Sequence, residues 1–105
     1  MKAGTHDAAS FDSLGGERSR VGGTLGFTTV TALLPAGAAA IEQGRAAVID
    51  LSGVTDSDSS GLALLIEWLS VARSAGRSLR YENIPAQLHQ LARLSDIDAL
   101  LSTPL

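Results

Sequence analysis

The sequence predicts an α/β fold, a four-stranded mixed sheet with helices packed largely on one face. Residues 46–51 form an apolar run without alternation, which reads as a buried strand, and a polar loop and an apolar segment at helical spacing from Leu62 follow it. Residues 78–82, Ser-Leu-Arg-Tyr-Glu, alternate as a further strand. Strand, helix and strand in this order imply a right-handed crossover with parallel neighbours. Upstream, residues 11–14 and 17–22 flank Gly15-Gly16 as a hairpin, and that makes the sheet mixed.

The first strand rests on the alternation of Phe11-Asp-Ser-Leu14; the second is thin in apolar residues, with only Val21 plainly hydrophobic. Thr28 or Thr29 is the expected cap of a first helix whose buried face is Val30, Leu33, Leu34, Ala38 and Ile41. Pro35 falls one to two turns in, so a bend or a late start is expected there. Gly44 suits the C-terminal end.

The second helix is expected over residues 60–75 and ends at Gly76. Steps of about 100° put Ala63, Glu67, Ser70 and Ser74 in one polar stripe, and large apolar residues fill the rest. Two readings of this wide apolar arc stand. Either neighbouring helices cover its flanks, or Leu64, Trp68 and Val71 are partly exposed and form a docking patch with an aromatic anchor. A third helix starts near Pro85 with Leu88, Leu91 and Ala92 buried, Leu94 at its edge and His89 on the solvated side. Asp96 is placed to cap a last turn carrying Ile97, Leu100 and Leu101.

A chain of 105 residues is one domain. Residues 1–9 lack periodicity and read as a flexible N-terminal segment carrying an inert His6; residues 10–105 are the folded domain. Net charge is -3, the seven arginines and one lysine are scattered, and the aromatics are Phe11, Phe27, Trp68 and Tyr81. That pattern carries no nucleic-acid footprint. The absence of cysteine excludes a disulfide framework and a thiolate metal site. With neither a signal peptide nor an apolar run of ~18 residues, the expectation is a cytoplasmic protein without direct membrane insertion.

Asp58, Ser59 and Ser60 have short side chains able to accept hydrogen bonds from the free N–H groups of a first helical turn. Two hydroxyls therefore stand at a helix N-terminus, whose partial positive charge favours an added phosphate. Nothing surrounds them that would make an enzyme. Nucleophilic attack by Ser59 needs a base and an orienting partner, yet His6 and His89 belong to other segments, and no Gly-rich Lys-Ser/Thr loop is present. No catalytic residue and no cofactor is expected. Asp50, Asp56 and Asp58 suggest a hard-cation site only weakly, because a polar loop with a helix cap explains them.

Asp58-Ser59-Ser60-Gly61-Leu62 after a strand resembles the signature of the STAS domains (sulfate transporter and anti-sigma-factor antagonist). Gly23-Thr-Leu-Gly-Phe-Thr-Thr resembles the family's Gly-x-Leu-x-x-x-Thr opening of the first helix. The two blocks are in register over about residues 11–102, and the resemblance implies the same STAS-like fold. Val-Ile-Asp-Leu-Ser-Gly-Val at the central strand, Gly-Leu-Ala-Leu-Leu at the second helix and Leu33-Leu34-Pro35 look most like the MlaB-type branch. There the domain is a non-catalytic subunit that binds the cytoplasmic ATPase of a phospholipid ABC transporter. The resemblance places the contact at or near Ser59, beside Asp58 and Ser60; with the docking patch of Leu64, Trp68 and Val71 read from helical spacing, these form the expected partner surface, at the inner membrane only through that ATPase. The alternative it leaves open is an anti-sigma-factor antagonist whose Ser59 is phosphorylated by a kinase-like anti-sigma factor, which releases the partner. Ser57 departs from the family, where that position is usually apolar, and should make the loop more polar.

Overall fold

The computed structural model describes residues 9–95 and 101 of the chain. The elements are β1 (Ala9–Gly15), β2 (Arg18–Leu25), α1 (Phe27–Glu42), β3 (Val48–Ser57), α2 (Ser59–Ala75), β4 (Arg80–Glu82) and α3 (Ala86–Leu94). The sheet runs β1-β2-β3-β4, antiparallel in its first pair and parallel in the other two. The expected α/β architecture with one four-stranded mixed sheet is therefore present. Residues 1–8, and the last turn expected at Asp96, Ile97 and Leu100, lie outside the described residues. Ala9, read as part of the N-terminal segment, already pairs with Gly23, and Leu101 is buried in the core.

Two boundaries differ from the sequence reading for physical reasons. β2 and β3 both run on past their apolar stretches, pairing Gly22 with Gly53 and Leu25 with Ser57. Residues 52–57, read as a polar loop, are thus strand; Ser52, Thr55 and Asp56 face solvent, and their composition imitates a loop. α1 begins at Phe27 with Gly26 as its N-cap, rather than at Thr28 or Thr29. Thr29 serves that end from the third helical position. Its Oγ1 accepts the Gly26 N–H at 2.9 Å, and its hydroxyl donates to the Thr24 carbonyl at 2.7 Å, pinning the strand end to the helix start. Pro35 lies inside α1 and does not delay its start; its nitrogen donates no hydrogen bond within the helix.

Alternation along the strands separates two faces. Val21 of β2, Ile49 and Leu51 of β3 and Tyr81 of β4 join the helices in one core. Burial pushes the Tyr81 phenol well above its ordinary range, and its hydroxyl donates to the Leu65 carbonyl at 2.6 Å. The opposite face is polar. Glu82 pairs with Arg18 and, at 2.8 Å, with Arg80, and these bonds lower its carboxyl, that of Arg18 foremost. Asp50 accepts from Asn83 Nδ2 at 2.9 Å, the main cause of its lowered carboxyl, with the Ser52 N–H next; Arg20 lies 3.8 Å away. The arginines of these pairs are about half exposed, so the pairs contribute little stability.

The centre of the core is where α1 meets α2. Trp68 is 0 % exposed, its ring meets Phe11 edge to face at 5.6 Å, and its Nε1 donates to the Leu34 carbonyl at 3.1 Å. A Cβ at Gly37 would stand 2.2 Å from the Trp68 ring, so the indole lies directly on the backbone of α1. This corrects the reading of Trp68 as a partly exposed anchor. Leu64 is buried too, while Val71 is half-buried; α1 covers the flank that helical spacing alone left open.

Trp68→Ala is expected to cost about 3–5 kcal/mol of stability, the range for emptying a buried aromatic site. Denaturant unfolding of the purified variant checks this, and a loss below about 1 kcal/mol would place the indole outside the core.

Candidate partner-binding site

The motif after β3 is held by contacts that its small residues permit. Asp58 has extended backbone and caps α2, its Oδ1 accepting the Ser60 N–H at 2.7 Å. Its own N–H donates to the Leu25 carbonyl at 3.1 Å, tying the start of α2 to the end of β2. Gly26, the N-cap of α1, is adjacent: a Cβ there would lie 3.7 Å from Asp58 Oδ2. Two helix N-termini therefore stand side by side with one carboxylate between them, an arrangement that suits negative charge.

Gly61 makes the approach possible. A Cβ at that position would fall 2.1 Å from Ser57 Oγ and 3.0 Å from Leu25 Cβ, so only glycine lets the first turn of α2 rest on the strand ends. Ser57 itself is 4 % exposed. Its N–H is shared between Asp56 Oδ1 and Gln87 Oε1, both at 3.0 Å, and its hydroxyl donates to the Asp58 carbonyl at 3.1 Å. The expectation that Ser57 makes the loop surface more polar is corrected: the side chain points inward, where its hydrogen bonds replace the packing of an apolar residue.

Of the sequence-predicted partner residues, the fold gathers Asp58, Ser59 and Ser60 at this end. Ser59 is exposed, and its hydroxyl has no hydrogen-bond partner among the described residues. Ser60 is half-buried and lines a shallow groove of about 340 Å³ between α1 and α2, together with Leu34 and Leu64. Trp68 lies beneath, in the core, and Val71 lines a separate depression further along α2. Among the described residues, no group of three His, Cys, Asp or Glu is placed to hold a metal ion. Asp50 belongs to the open sheet face and Asp58 is committed to its cap.

One surface residue escaped the sequence reading. Phe27, the first residue of α1, is 77 % exposed. It precedes Val30 and Thr31 by one turn and so extends the stripe that lines the groove. The signal was available: Phe27 stands seven residues before Leu34, on the same flank of the helix.

The motif residues should rank by what they hold. Asp58→Ala is expected to lose about 1 kcal/mol and Asp58→Ser much less, since Ser also caps. Gly61→Ala should cost about 1–3 kcal/mol through overpacking against Ser57 and Leu25. Equilibrium denaturation of the three variants tests the order, and a neutral Gly61→Ala would show that the strand ends yield freely.

Comparison with known proteins agrees with this geometry. A family model described as the Mlab, STAS domain matches residues 16–102. Among solved structures, the chain is similar to the anti-sigma factor antagonist SpoIIAA in its unphosphorylated form, with TM-score 0.63 and 17% identity over 82% of each chain. It is also similar to the Bacillus cell fate determinant SpoIIAA in the phosphorylated form, with TM-score 0.65 and 17% identity over 90% of this chain and 88% of that one. No curated protein matches it by sequence. At that identity the solved structures speak for the fold, while the match over residues 16–102, most of the chain, makes it a member of the MlaB-type STAS domain family.

Proposed function

We propose that this chain is a non-catalytic STAS subunit that binds the cytoplasmic ATPase of an Mla-type phospholipid ABC transporter and supports its assembly and activity. The observation that carries the reading is the MlaB-type family match over residues 16–102. The end of the fold holding Asp58, Ser59, Ser60 and Phe27 supports it, with an apolar groove beside the exposed Ser59. No helix among the described residues is long and apolar enough to cross a membrane. In this reading the chain is cytoplasmic and reaches the inner membrane through its ATPase.

A second reading has a specific observation behind it. The similar solved structures are an anti-sigma factor antagonist with and without its phosphate, and Ser59 is exposed at a helix N-terminus. As such an antagonist the chain would be phosphorylated at Ser59. About 1.5 to 2 added negative charges beside Asp58 would then release the partner.

Calorimetry with the transporter ATPase subunit of the same organism separates the readings. Wild type should bind, Ser59→Ala should bind nearly as well, and Ser59→Asp should weaken association by about 2 kcal/mol or more, because it sets a second carboxylate beside Asp58 in a desolvated contact. Equal affinity of Ser59→Asp and wild type would remove Ser59 from the contact. Binding to a kinase-like anti-sigma factor but not to the ATPase would favour the second reading.

A further inference from the structure

Two depressions lie along the same seam between α1 and α2. The first, at the motif end, is floored by Leu34 and Leu64; the second, toward the C-terminal ends of both helices, is lined by Glu42, Val71 and three small residues of α2. Glu67 borders both, so the two depressions follow one another along the seam as a trough. From Ser60 to Ser74 this trough runs about 20 Å, or about four helical turns. It is apolar at one end and acidic at the other. Among the described residues, no lysine or arginine lines either depression, and neither Glu42 nor Glu67 makes an ion pair or side-chain hydrogen bond.

We infer that this trough takes an amphipathic helical segment of a protein partner, with apolar side chains against Phe27, Leu34 and Leu64 and a lysine or arginine set between Glu42 and Glu67. The inference rests on the partner-binding reading of this surface and adds the chemistry of what docks there. Charge decides the occupant. Two carboxylates without a cation beside an apolar floor complement a basic, amphipathic segment and oppose anionic lipid headgroups. They also oppose a second copy of this chain, because a two-fold contact on the same patch brings like charges together. The direction of docking follows as well: the partner's cation lies about two turns, ~10 Å, from its apolar anchors.

The first arm of the test measures binding of the full chain to the ATPase subunit. Paired Glu42→Lys and Glu67→Lys changes should weaken it by about tenfold or more. Paired Asp12→Lys and Glu17→Lys changes, both at exposed positions of the β1–β2 hairpin, alter net charge by the same amount and should leave binding within about twofold, with melting curves confirming the fold of each variant. Wild-type-like affinity of the variant changed at Glu42 and Glu67 would overturn the inference, as would an equal loss in the control. If the wild-type chain does not bind the ATPase at all, the transporter reading fails, and the trough is judged by the second arm. There, a helical peptide of about fourteen residues with a leucine face and a lysine two turns on is titrated into the labelled chain, against the same peptide with glutamate for lysine. Amide shifts at Val30, Leu64 and Glu67, with the lysine peptide bound about fivefold tighter or more, support the trough. Shifts elsewhere, no shifts, or equal affinity overturn it. So do anionic vesicles shifting the same amides, or self-association that Leu34→Arg abolishes.

Discussion

The indole of Trp68 lies on the backbone of α1 because Gly37 has no side chain, and the rest of the helical layer depends on that contact. A methyl group at Gly37 would overlap the ring at 2.2 Å. With the glycine in place, the ring covers α1, meets Phe11 from the sheet and satisfies its only polar group on the Leu34 carbonyl. A buried indole left without that acceptor would carry the full desolvation cost of its N–H. One residue of α2 thus links helix to helix and helix layer to sheet.

The position of the candidate site follows from this packing. Both helices enter from strand ends that are tied to each other, through Thr29 to the Thr24 carbonyl and through Asp58 N–H to the Leu25 carbonyl. Their N-termini are held side by side by backbone bonds and close glycine contacts, so the surface around Ser59 sits on rigid elements. The polar groups inside it are occupied: Asp58 by its cap, Ser57 by the Asp58 carbonyl. Among the described residues, what remains without a partner is the Ser59 hydroxyl, the Phe27 ring and the two carboxylates of the trough. These groups are what the proposed recognition of a partner would use, for apolar contact and for charge.

Local signals in the sequence carried the architecture well. The apolar run of residues 46–51, the alternation of residues 78–82 and the Gly15-Gly16 turn place the four strands, and Asp58 and Gly76 mark the ends of α2 by cap chemistry alone. Features that depend on distant residues were hidden. The polar half of β3 reads as loop because its hydrogen bonds belong to β2, which no local pattern records. Trp68 looks like an anchor on a helical wheel, since the wheel cannot show that a glycine of another helix makes room to bury it. Phe27 went unmarked because a cap at Thr28 or Thr29 leaves it outside the helix, whereas α1 starts at Phe27 and carries the exposed ring in its first turn.

A double-mutant cycle between Gly37 and Trp68 tests the central claim most directly. Stabilities of wild type, Gly37→Ala, Trp68→Ala and the double variant would be measured by denaturant unfolding under one condition. In the wild-type background the added methyl should destabilise by about 1–3 kcal/mol through overpacking. With the indole gone it should be neutral or stabilising, as alanine favours a helix over glycine by about 1 kcal/mol. A coupling of about 2 kcal/mol or more is the predicted result, and additivity within about 0.5 kcal/mol would contradict the account.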